Sequence, residues 1–127
     1  MDVTAQERGF FGGHEGAWPL FERFQGMLLS EYPTTRVKVQ KTQISYHNRR
    51  MYACVSFLRV RRKADMPDDY FVLTLGMPER LDTPRAAVVT EPYPGRWTTH
   101  LVISRANDLD EELFGWIAQA YHFAQDK

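Results

Sequence analysis

Thr35-Arg36-Val37-Lys38-Val39-Gln40-Lys41-Thr42-Gln43-Ile44-Ser45-Tyr46, continued by Tyr52-Ala53-Cys54-Val55-Ser56-Phe57-Leu58-Arg59-Val60, is the stretch whose reading decides the fold. Val37 and Val39 share one face of an extended segment, but Ile44 and Tyr46 have the opposite parity. Strand faces alternate with period two, so a turn or bulge falls between Gln40 and Gln43. Lys41-Thr42 is poor turn chemistry, and a bulged or bent strand is expected as readily as a hairpin. His47-Asn48-Arg49-Arg50 reads as a turn into a long strand, Met51 to Arg61. Almost every residue from Met51 to Leu58 is apolar or small, which predicts a central strand with both faces partly covered.

The same stretch carries the chain's charge asymmetry. Between Arg36 and Lys63 there are nine basic residues and no acidic one, whereas the 127-residue chain is neutral overall, with 16 Lys and Arg against 16 Asp and Glu. Lysines and arginines on an outer strand face, interleaved with polar side chains, suit phosphate contacts. Lys38, Lys41, Gln43, Arg49 and Arg50 are therefore the candidate anion or nucleic-acid contacts. The competing reading is a solvated edge strand whose lysines block aggregation. A pI of 6.9 argues against tight nonspecific binding to nucleic acid.

Outward from this centre, residues 1–8 are polar and expected to be a flexible terminus, and residues 9–127 a single domain. Gly9-Phe10-Phe11-Gly12-Gly13-His14-Glu15-Gly16 is not a phosphate loop, because no strand precedes it and no Lys-Ser/Thr pair follows. Its expected role is a flexible backbone with Phe10 and Phe11 packed on the core. Leu20, Phe21, Phe24 and Leu28 recur at helical spacing, predicting a helix from about Glu15 to Ser30 with Pro19 in its first turn. Tyr32-Pro33 ends it.

Beyond the basic stretch, strands are expected at Tyr70 to Leu75 and Ala86 to Thr90, and through the alternating run Trp97 to Ile103. Pro92-Tyr93-Pro94-Gly95 turns the last two into a hairpin. A final helix follows, with Asn107-Asp108 as its cap, Asp108 and Glu111 at capping-box spacing, and Leu109, Leu113, Trp116, Ile117, Ala120, Tyr121 and Ala124 on one stripe. The sum is an α+β two-layer sandwich, helix, about five mostly antiparallel strands, helix, with the helices on one face. The other face is left for solvent, a ligand or a partner subunit.

Little catalytic chemistry is legible. The four histidines are scattered outside any HExxH frame, and Cys54, the only cysteine, lies mid-strand without a pKa-lowering neighbour. No residue is assigned a catalytic or metal-binding role, no cofactor is expected, and the enzyme question leans towards no. A lone buried thiol and the absence of a leader or a long apolar run predict a cytoplasmic protein outside the membrane.

Phe10-Phe11-Gly12-Gly13-His14, Lys41-Thr42-Gln43-Ile44-Ser45-Tyr46 and Gly95-Arg96-Trp97-Thr98-Thr99-His100, followed by Asp108-Leu109-Asp110 and Ala120-Tyr121, together resemble the uncharacterised DUF5655 domains. In layout the chain is also similar to YjbR-type domains, which implies a helix, five-strand, helix sandwich. The first resemblance implies no catalytic residue, and association with nucleic acid stays open because some such domains are fused to restriction-type or predicted transport proteins. The expected function is thus a non-enzymatic binding module for an anionic partner, nucleic acid or an acidic protein surface. The alternatives are a small-molecule binder or enzyme, with a pocket where the glycine-rich segment, Tyr46, Trp97 and His100 meet, and a homodimerisation module.

Overall fold

The computed structural model describes residues 3–125. Six strands form one sheet: β1 (Arg36–Val39), β2 (Ile44–His47), β3 (Met51–Ser56), β4 (Phe71–Met77), β5 (Ala86–Tyr93) and β6 (Arg96–Ile103). Their order is β1-β2-β3-β4-β6-β5, and every neighbouring pair is antiparallel. The helices are α1 (Val3–Phe10), α2 (Trp18–Glu31) and α3 (Glu111–Gln125). With α2 and α3 packed on the sheet, the fold is the two-layer α+β sandwich that the patterning predicts.

The parity break in the basic stretch resolves as a hairpin, which raises the strand count to six. The Gln40 N–H donates to the Gln43 carbonyl at 2.8 Å, and the two glutamine side chains bond to each other at 3.1 Å. Val39 then faces Ile44, and Val37 faces Tyr46, so all four share the helix-covered face. The glutamine pair thus closes a turn that Lys41-Thr42 alone would not suggest. A bulge does occur, but one turn later, where Tyr46 pairs with Ala53 and His47 with Met51. The extra residue on β3 is Tyr52, which joins the core beside Tyr32 and Tyr121, with ring centroids 6.0 and 5.1 Å away.

The core is the face formed by Ile44 and Tyr46, Ala53 and Val55, Phe71, Leu73 and Leu75, and Leu101 and Ile103. Onto it α2 sets Phe21, Phe24 and Leu28, and α3 sets Leu113, Ile117 and Ala120. Pro19 lies in the first turn of α2 and Tyr32 caps its end, as the sequence implies. Two expectations are corrected. Of the polar opening residues, 1 and 2 lie outside those described, but the rest belong to a helix from Val3 to Phe10. In it Glu7 is buried against Gln25, whose side-chain amide donates to its carboxylate at 2.9 Å. The start of α3 is capped by Asp110, not by Asn107 or Asp108: its Oδ1 accepts from the Leu113 N–H at 2.9 Å. Asp108 instead closes the preceding turn, accepting from the Ser104 and Arg105 N–H groups at 2.9 and 3.0 Å.

Candidate functional site

Alternation along each strand gives the sheet a second face of different chemistry. Register places Lys38 beside Ser45, Ser45 beside Cys54, Cys54 beside Thr74, Thr74 beside His100 and His100 beside Val88. One row, polar except at its β5 end, therefore crosses all six strands. Thr74 Oγ1 and His100 Nδ1 share a hydrogen bond of 2.8 Å, and Ser45 Oγ bonds His47 Nε2 at 3.0 Å. Burial pushes the Cys54 thiol pKa up, a side-chain hydrogen bond with Thr74 opposing it, and burial pushes the His100 imidazole down. Both shifts favour the neutral forms, whereas cysteine nucleophiles need the thiolate. In these forms the row offers hydrogen-bond donors and acceptors.

At the end of the sheet where β3 finishes, this row becomes the floor of a cavity of about 660 Å³. Ser56, Cys54, Thr74 and His100 line the floor, Lys41, Thr42 and Gln43 of the β1–β2 turn form one rim, and Phe10, Gly12, His14 and Phe57 the aromatic side. Gly13, at φ 85°, takes a left-handed conformation that favours glycine, and its N–H donates to the Glu15 carboxylate at 2.9 Å. The chain thereby turns to lay His14 flat on Phe57, with centroids 3.7 Å apart and planes 7° from parallel. Phe10 also stacks on Phe57, at 5.4 Å and 23°, while Phe11 meets it edge-on at 5.0 Å from the core side. Among the described residues no carboxylate lines the cavity, and Lys41 is its single permanent cation.

The sequence-derived candidates divide. Lys38 lies on the open face of the edge strand, and Lys41 and Gln43 reach the cavity. Arg49 and Arg50 occupy the β2–β3 turn, across four residues of strand from Lys41, a separation of roughly 13 Å. Arg49 donates to the Gln125 carbonyl at 3.1 Å, where a cation complements the C-terminal end of α3, and Gln125 in turn donates to Asn48 at 3.1 Å. Arg49 is thus a clamp on the last helix.

The expected meeting of Tyr46, Trp97 and His100 does not occur. Tyr46 is fully buried under the helices, its hydroxyl donating to Gln25 Oε1 at 2.7 Å, and burial raises its pKa well above the ordinary value. Trp97 lies opposite Met77 on β6, three strands from β2 and so roughly 14 Å away. His100, of the other parity, is on the open face. Of that trio only His100 reaches the cavity, where it does meet the glycine-rich segment. Cys54, Thr74, His14 and Phe57 are the site residues that sequence reasoning misses as a set, because only strand register brings Thr74 beside Cys54.

Two other concavities differ in kind. One, of about 390 Å³, includes Arg61, Arg85 and Arg105, but Arg85 is already held by Asp110 and Glu112 at 2.9–3.1 Å and by the Asp108 carbonyl at 2.8 Å. The other, of about 580 Å³, lies between α2 and α3, with Met27, Tyr32 and Phe114 beside Glu31, Asp110 and Glu111. Among the described residues no group of three or more His, Cys, Asp or Glu is placed to hold a metal ion, and no helix is long and apolar enough to cross a membrane.

The family match spans residues 7–124, and the chain belongs to the family described as domain of unknown function DUF5655. The matched span takes in the aromatic-glycine segment, the Lys41 turn and the His100 strand together. No curated protein and no solved structure matches the chain.

Proposed function

We propose that this member of the DUF5655 family is a small-molecule binding protein whose ligand lies in the open-face cavity without covalent attachment. One observation carries the reading: segments far apart in the chain, the α1–α2 turn, the β1–β2 turn, the end of β3 and the middles of β4 and β6, bring one aromatic side, one hydrogen-bonding floor and one cation to a single concavity. Its size falls within the range of ligand pockets, and an apolar wall with few convergent polar groups is their usual composition. The neutral Cys54, Thr74 and His100 supply donors and acceptors that fix orientation. Thermal denaturation against a library of small polar and aromatic compounds tests it. A ligand at about 100 times its Kd stabilises by about 2.7 kcal/mol, a rise of roughly 10 °C for a chain of this size. Thr74→Met, which fills the floor, should abolish that rise. Compounds that stabilise wild type and Thr74→Met equally would place binding elsewhere.

A second reading keeps the anionic macromolecule, since Lys38 shares the open face and Lys41 the rim. It ranks lower because the strand centres there offer Ser45, Cys54, Thr74 and His100, not the aromatic platforms on which bases stack. Titration of labelled oligonucleotides at low salt separates the two. If either lysine neutralises a phosphate, Lys38→Gln or Lys41→Gln should flatten the salt slope by roughly 0.7–0.9.

A further inference from the structure

Resting on that reading, the geometry points to a ligand class: we propose that the open-face cavity takes a small planar aromatic anion, its ring continuing the Phe10, Phe57 and His14 stack and its acidic group directed to Lys41. The stack is the first reason. Phe57 is faced by both Phe10 and His14, at 5.4 and 3.7 Å, and all three rings line the same cavity. His14 is solvent-exposed although it lies flat on an aromatic ring, so the column presents aromatic surface to the cavity and to water. A flat ring covers such a surface with an offset-stacked geometry that an aliphatic group cannot reproduce.

Charge is the second reason. Among the described residues Lys41 has no ion-pair partner, and the nearest acidic residues in sequence are Glu31 and Asp65. The described lining has no carboxylate to compete for it or to repel an anion. The floor supplies hydroxyl, thiol and imidazole groups, enough to bind polar ring substituents while rejecting none by charge. A neutral aromatic compound would use the stack and leave Lys41 idle; an aliphatic anion would do the reverse. Only an aromatic anion uses both.

Four probes separate these contributions: naphthalene-2-carboxylate, its neutral amide, cyclohexanecarboxylate and inorganic phosphate, each titrated against the wild-type chain while backbone amide NMR shifts are followed. The aromatic carboxylate should bind about tenfold more tightly than either its amide or the aliphatic acid, one such factor for each contribution removed. Lys41→Gln, an exposed change, should erase the advantage over the amide. His14→Ala, also exposed, should weaken both naphthalene compounds by a larger factor than the aliphatic acid. Equal affinity for carboxylate and amide, or for aromatic and aliphatic acids, would overturn the assignment of ligand class. So would binding of phosphate alone. If none of the four binds while another compound still shifts the cavity amides, the class is wrong and the site stands. If no compound shifts them, the binding reading itself fails.

Discussion

The two faces of one sheet are made by the same strands and differ in almost everything else. On β4, Phe71, Leu73 and Leu75 are fully buried beneath α2 and α3, while Thr74, Gly76 and the equally buried Val72 point the other way; on β6, Leu101 and Ile103 contrast with His100 and Val102. The covered face gains by removing apolar area from water, worth roughly 25 cal/mol per Å². The open face gives up that gain at Ser45, Cys54, Thr74 and His100 in favour of hydrogen-bonding groups. On the proposed reading, stability and recognition are separated by parity, so adjacent residues should answer substitution in opposite ways.

The sharpest break would come at neighbouring positions of β4. Leu73→Ala, or Leu113→Ala from the helix that covers it, should cost about 2–5 kcal/mol through reduced burial and the cavity left behind. Thr74→Val should cost only about 0.5–1.5 kcal/mol, the worth of its bond to His100, while weakening ligand binding. Chemical denaturation measures both, and comparable losses at Leu73 and Thr74 would end the division of labour between faces.

Polar groups on the covered face sharpen it further. Tyr46→Phe removes the donor to Gln25 Oε1, and Gln25 also donates to Glu7, so a network linking α1, α2 and β2 loses one end. The expected cost is about 1–3 kcal/mol in the same denaturation experiment, with no effect on ligand affinity. Asp110→Ala should cost about 0.5–2 kcal/mol by uncapping α3 and freeing Arg85 from a partner. A change below that range would show that Glu112 and solvent replace the cap.

The smallest effect concerns pH. Burial lowers the pKa of His100, and burial with Lys38 and Arg36 lowers that of His47, from the usual 6.5. The unfolded chain therefore binds these protons first, and their contribution to stability, full above pH 6.5, is lost as pH falls from there through the lowered folded values. Urea midpoints from pH 7.5 down to pH 5 should decline in wild type and decline less in His47→Gln/His100→Gln. An identical decline in both proteins would assign it to other groups.

How much of this is legible in the sequence follows from the same contrast. The covered face is written in local periodicity: Phe21, Phe24 and Leu28, or Leu113, Trp116 and Ile117, declare their helices, and alternation from Trp97 to Ile103 declares β6. The cap of α3 escapes a sequence reading because Asn107, Asp108 and Asp110 are all capping residues, and only the folded position of the Leu113 N–H selects Asp110. The hairpin at Gln40–Gln43 is equally ambiguous, since the backbone bond that closes it joins two glutamines around Lys41-Thr42, outside the usual turn signals. The open-face site is legible only in pieces. His100, Lys41, Gln43 and the glycine-rich segment each stand out, but one polar residue per strand looks the same in a solvated face and in a binding floor. Tyr46 and Trp97 attract attention as aromatics near polar residues, although parity with Ile44 and with Leu101 already sets them on the apolar side.

The most direct measurement is backbone amide NMR of the labelled protein during titration with its best stabilising compound. Occupation of the open-face cavity requires saturable shifts centred on Gly12, His14, Thr42, Gln43, Ser56, Thr74 and His100, with Phe24, Leu113 and Ile117 unmoved. Shifts centred instead on Met27, Tyr32 and Phe114, in the groove between α2 and α3, would contradict it and move the site to the helical layer.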